Sequence, residues 1–215
     1  MLFRIHSSIE TTQVRILRRV LWLFLCMILV SSISKAQSDS TDYSYKTNLK
    51  GGYQIVYKKG KDLQHLYLTK GRKTIRVLNS VSNGLPHKNL GYVGADFDKY
   101  AVLVHSYGSG NPHEIELIRK SNGRNVLMGN AYWIDANEET GVLLYCVKGS
   151  PTVSDVMILR NINTGKQRFL KFPPTVLKEG QVLNRINIAD VIKGFVVVTF
   201  DVENYEQKIK RSYRL

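Results

Sequence analysis

The sequence predicts an all-β fold whose antiparallel strands recur in about four units. Three observations carry this reading. Past Tyr53, short alternating or β-branched apolar runs follow one another, and no window of a dozen residues shows helical periodicity. Gly, Asn, Asp and Pro stand between the runs at hairpin spacing. The runs also return in the same order, with turn glycines Gly123 and Gly165 lying 42 residues apart.

Taken along the chain, unit 50–79 holds strands at Tyr53–Tyr57, His65–Thr69 and Thr74–Leu78, with its last turn at Gly71. Unit 92–130 reads Tyr92–Asp96, a turn at Asp98-Lys99, Ala101–His105, Glu114–Ile118, a turn at Asn122-Gly123, and Asn125–Met128. Unit 132–172 repeats this with Tyr132–Asp135, Val142–Val147, Val156–Arg160, a turn at Thr164-Gly165, and Gln167–Leu170. Unit 183–215 has its first turn at Gly194 and strands at Phe195–Phe200 and Lys208–Tyr213. Asn-Gly and Thr-Gly supply the positive-φ residue that tight hairpins need. The nearest helical candidate, Val176 to Asn184, is short and broken by glycine. Four strands per unit of roughly 40–50 residues is the pattern of propeller blades, and the hairpin DVMILRNINTGKQRFL resembles the outer hairpin of a β-propeller blade. The expected architecture is a four-unit, propeller-like fold; the alternative is a two-sheet β-sandwich or meander.

The N-terminus reads as an address. Arg4, Arg15, Arg18 and Arg19 precede an apolar run from Val20 to Val30, and Ser34 and Ala36 fit the −3 and −1 positions of a signal-peptide site. Residues 1–36 are therefore expected to be a signal peptide cleaved before Gln37, giving a secreted or periplasmic protein. An anchor is the rival reading, but 11 apolar residues rise only about 16 Å as a helix, against a hydrocarbon core of roughly 30 Å. Leu25 directly before Cys26, with apolar residues continuing after it, also argues against a lipid anchor. No membrane span is expected after cleavage. Residues 37–49, rich in Ser, Thr and Asp, read as a flexible lead-in to an all-β domain at 50–215.

The full chain of 215 residues carries a formal charge of +14. Without the leader it keeps 26 basic and 16 acidic residues, about +10. The cations are scattered rather than gathered into a recognisable nucleic-acid module, so the expected partner is a protein or an anionic glycan of the envelope, not nucleic acid. Once Cys26 leaves with the signal peptide, Cys146 stands alone within the strand VLLYCV, where a buried structural thiol is expected and a disulfide is excluded.

The densest polar cluster is the loop from His105 to Glu114. A catalytic reading pairs Ser106 or Ser109 with His113 and lets Glu114 orient the imidazole, but the strand–turn–helix context of a nucleophile elbow is missing. Ligand contact is the better reading, through His105, Tyr107 and His113, with Trp133 as a further aromatic. Tyr132 and Trp133 are adjacent in one strand, so one faces the core. His65, His87, His105 and His113 show no paired metal-ligand spacing, so neither metal nor cofactor is expected. Asp96, Asp135 and Asp190 recur near the first turn of three units. Lining one channel, they would suit glycoside cleavage; as turn residues they would bond their own backbone. The function favoured is an exported, basic, non-enzymatic β-module that binds a protein or an anionic glycan, with an inhibitor or immunity-type protein as one variant. The alternative is a small glycan-active hydrolase or lyase using these carboxylates.

Overall fold

Two strands explain how the layers stack. β6 (Tyr100–His105) and β10 (Val142–Val147) are continuous apolar runs rather than alternating ones, the pattern of strands covered on both faces. In β6, Ala101 and Leu103 face one core while Val102 and Val104 face another. In β10, Leu143 and Tyr145 share that second core, and Val142, Leu144 and Cys146 turn to a third. The computed structural model describes residues 45–108, 111–147, 156–179, 182–192, 194–203 and 205–214. The leader, its cleavage site before Gln37, and Ser109 lie outside the described residues.

Three antiparallel sheets follow in chain order. The first is a meander of β1 (Tyr45–Leu49), β2 (Tyr53–Lys59), β3 (Leu63–Lys70) and β4 (Lys73–Ser82). The second orders its strands β12-β11-β10-β9-β7-β6-β5, with β5 (Tyr92–Asp96), β7 (Glu114–Arg119), β9 (Ala131–Asn137), β11 (Val156–Asn161) and β12 (Gln167–Lys171); the two-residue β8 (Arg124–Asn125) pairs only with β7. The third is β13 (Ile186–Ile192), β14 (Phe195–Val202) and β15 (Gln207–Arg214). Among the described residues one short α-helix, α1 (Pro174–Glu179), starts on Pro174, where a missing N–H costs no helical bond, and buries Val176 in the third core. Among the described residues no helix is long and apolar enough to cross a membrane.

The all-β, antiparallel fold is as expected, but no ring of blades forms among the described residues, and the layered sheets fit the sandwich alternative. Two features oppose a propeller. No strand of the first sheet pairs with the third. Units 92–130 and 132–172 also share one sheet, because β7 bonds β8 at one end, Ile118 opposite Asn125, and β9 at the other, Ile115 opposite Ala131. The cause is local. The expected strand Asn125–Met128 stops at Asn125, whose side-chain Oδ1 accepts from Leu117 N (3.1 Å) and Leu127 N (3.0 Å) in place of a continuing ladder. The freed stretch of β7 is taken by β9, and the sheet curls so that β5 approaches β9.

The lead-in expectation also needs correcting. Tyr45–Leu49 is not flexible chain but β1, paired with β2 from Tyr45 opposite Tyr57 to Leu49 opposite Tyr53. Tyr45 stacks on Tyr57 at 5.1 Å between ring centres, and Leu49 is buried. The third core encloses Cys146, and burial pushes its thiol up to about 12, so the thiolate that nucleophilic chemistry requires is suppressed.

Candidate functional site

Each of the strands β5, β9 and β13 carries a β-bulge, at Gly94, Ile134 and Asn187 respectively. A bulge inserts one residue and reverses the face of everything after it. In β9, Ala131 and Trp133 face the second core; past Ile134, Asp135 pairs with Leu144 and turns toward the third sheet. There Asp135 Oδ2 accepts from Val191 N at 2.7 Å and Asn137 Nδ2 donates to Val191 O at 2.7 Å. Two side chains thus stand in for a ladder between β9 and β13. Past Gly94, Asp96 turns toward the first sheet, where its Oδ2 accepts from Lys50 N (2.6 Å) and Lys120 Nζ lies 2.6 Å from Oδ1. Asp96 N in turn donates to Glu138 Oε1 at 2.8 Å.

These contacts explain the recurrence of Asp96 and Asp135 without catalysis. Both accept backbone N–H groups from neighbouring sheets, while Asp190 is exposed on β13. Burial raises the Asp135 carboxyl above its ordinary range; the N–H groups of Val191 and Ala136 pull it back, and Asp190 adds to the rise. Asp96 and Asp135 thus act as joints between sheets, and Asp190 lies at the surface.

Two residues of the His105 loop, Ser106 and His113, come together at an open cleft of about 450 Å³ that His87, Lys88 and Tyr92 also line. Its first wall is the turn His87–Asn89, which follows Pro86 and is held by the fully buried Leu90. Lys88 O receives Ser106 N at 3.2 Å, tying that turn to the end of β6. The His87 ring packs edge-on against Tyr45 and Tyr57. The opposite wall, His113, is fixed by its carbonyl, which accepts Trp133 N at 2.8 Å. Among the described residues no hydrogen bond joins Ser106 to His113, or His113 to Glu114; Ser109, the other serine of that reading, lies outside them. No family model, curated protein or solved structure matches the chain.

Of the expected ligand contacts, His113 lines the cleft and Tyr107 stands exposed beside it. His105 and Trp133 are placed otherwise. The Trp133 ring packs on the second core, near Gly94, and only its backbone serves the cleft. His105 is buried behind Gly91, stacked on Tyr107, with Nδ1 3.2 Å from Asn89 O and Nε2 3.5 Å from Glu116 Oε1. His87, Lys88 and Tyr92 were missed because they lie well before the loop in sequence; the turn-forming run PHKNLG was the available signal.

Burial alone would lower the His105 pKa, but Glu116, the Asn89 carbonyl and the charge of Glu114 together raise it above the ordinary imidazole value. The folded state therefore favours the protonated ring. That contribution is fully present below the ordinary imidazole pKa and is lost as pH rises through the raised folded value. Unfolding free energies measured by urea across this window should fall with rising pH in the wild type and stay flat in His105→Gln. Parallel profiles for the two proteins would remove His105 as the cause.

Proposed function

We propose that this protein is an exported, non-enzymatic module that binds an anionic glycan in the cleft between the first and second sheets. One observation carries the reading: Lys88, His87, His113 and Ser106 line one open cleft together with the exposed Tyr92. Lys88 supplies a permanent positive charge for a carboxylate or phosphate, the imidazoles and the hydroxyl suit sugar hydroxyls, and Tyr92 and Tyr107 offer faces for stacking. The charge of about +10 that remains without residues 1–36 favours encounter with an anion. The leader at 1–36 supports delivery outside the cytoplasm. A protein partner, including the inhibitor variant, would reach the same cleft through an acidic side chain.

Calorimetric titration with trigalacturonate and with neutral maltotriose tests this. The uronate should bind, the neutral sugar should bind at least tenfold more weakly, and Lys88→Ala and Tyr92→Ala should each weaken uronate binding by about tenfold, the scale of one charge-assisted contact or one stacked ring. Uronate affinity unchanged in Lys88→Ala would exclude the cleft as the site.

A further inference from the structure

The last strands of two sheets lie side by side, far along the chain from the cleft residues. β12 ends the second sheet and β15 ends the third, and each has a free edge among the described residues. Arg168 Nη1 donates to Arg214 O, and Tyr213 Oη donates to Lys171 O at 3.0 Å. The two strands carry Arg168, Lys171, Lys208, Lys210, Arg211 and Arg214, every one exposed, and neither strand contains Asp or Glu. Register puts Lys208, Lys210 and Arg214 on the outward face of β15, opposite Asp201, Thr199 and Phe195. Arg211 and Arg168 take the other face, opposite the core residues Val198 and Leu159. The cations therefore line a rim about 20 Å long from Lys208 to Arg214, at roughly 3.3 Å per residue of β15. Of the bordering carboxylates, Asp201 is buried and bonded to Asn187 Nδ2 at 2.9 Å, and Glu206 stands in the turn before the strand.

We propose that the β12–β15 rim binds a linear acidic polysaccharide laid along the strands. One or two edge lysines suffice to block strand pairing; six cations on two adjacent edges exceed that need. A single-stranded nucleic acid would call for several stacking rings. Here Phe169 is exposed, while the Tyr213 hydroxyl is engaged by Lys171 O. A protein partner would want a desolvated apolar centre; of the exposed apolar side chains in this region only Phe169 lies on β12 or β15, while Phe195 lies on β14 and Ile188 and Ile192 on β13. What remains is charge neutralisation along a line, with release of counterions. This site is separate from the cleft and stands or falls without it.

The test is fluorescence titration of the full chain with labelled polygalacturonate and, separately, with phosphorylated dextran, at several salt concentrations. The stronger of the two identifies carboxylate or phosphate as the anion; binding of neither overturns the proposal. Lys208→Gln/Lys210→Gln/Arg211→Gln should weaken binding about tenfold or more and flatten the salt dependence by about two in slope, at roughly 0.7 per contact. Lys61→Gln/Arg72→Gln/Lys73→Gln, which removes the same charge from the exposed β2–β3 turn, the β3–β4 turn and the first residue of β4, should leave affinity within about twofold. Equal losses in both triples would reduce the effect to net charge and overturn the site. A loss in Lys88→Ala as large as in the rim triple would move the polymer to the cleft, and tighter binding of an oligodeoxythymidine would overturn the polysaccharide assignment.

Discussion

Replacing Lys120 with methionine should lower the unfolding free energy by about 3 kcal/mol or more, the usual cost of leaving one half of a buried ion pair uncompensated. Among the described residues Lys120 is one of the largest fully buried side chains, at 1% exposure. Its Nζ lies 2.6 Å from Asp96 Oδ1, an ion pair by distance without the alignment of a full hydrogen bond, and donates to Lys50 O at 3.1 Å. Without it, Asp96, itself largely buried, keeps only Lys50 N. The same cluster ties three elements: Lys50 of the β1–β2 turn, Asp96 of β5, and Glu138 after β9, whose Oε2 is 3.0 Å from Lys50 Nζ. Asp96→Asn/Lys120→Met should recover part of the loss, because no charge is then stranded. A urea-unfolding double-mutant cycle reads this coupling directly. Additive single and double mutants, or a Lys120→Met cost below about 1 kcal/mol, would show that the pair does not hold the first two sheets together.

The fold was legible where side chains alone decide it. The continuous apolar runs of β6 and β10 announce two-sided burial, and β15 alternates Ile209 and Tyr213 inward against Lys208, Lys210 and Ser212 outward. Gly123 and Gly165 mark their turns because each takes positive φ, at 67° and 72°. What was hidden depends on partners distant in sequence. Nothing in Lys46-Thr47-Asn48 reveals that β1 pairs with β2 and that Tyr45 stacks on Tyr57. The early stop at Asn125 and the merging of two units through β7 follow from one side-chain oxygen taking two backbone N–H groups. The recurrence of Asp96 and Asp135 was visible, but their role was not, because it depends on bulges that turn them toward Lys50 and Val191. The cleft was half legible: His113 and Tyr107 came from one polar loop, whereas Lys88 and Tyr92 reach it only through the β5–β6 pairing.

Gly94→Ala should destabilise the protein by about 1–3 kcal/mol, the cost of forcing a methyl against the buried Val104 side chain. A Cβ there would sit 2.5 Å from Val104 Cγ2 and 3.5 Å from the Trp133 ring, so either β5 must move or Val104 must leave its place. Gly94 is the bulged residue between the pairs Val93–Leu103 and Ala95–Val102. Its position couples two sites: Tyr92, two residues before, lines the cleft, and Asp96, two residues after, meets Lys120. Displacing β5 should therefore weaken uronate binding as well as stability, although Gly94 touches neither ligand nor ion pair. Val104→Ala in the same chain removes the methyl that the new Cβ would strike, so the double mutant should be less destabilised than the sum of the singles. Unfolding midpoints and calorimetric titration of the three variants separate the alternatives. If Gly94→Ala lowers stability but leaves uronate affinity intact, Tyr92 is held by its own turn rather than by the bulge. If stability also changes by less than about 0.5 kcal/mol, the bulge is compliant, and the orientation of Asp96 must come from Lys50 and Lys120 instead.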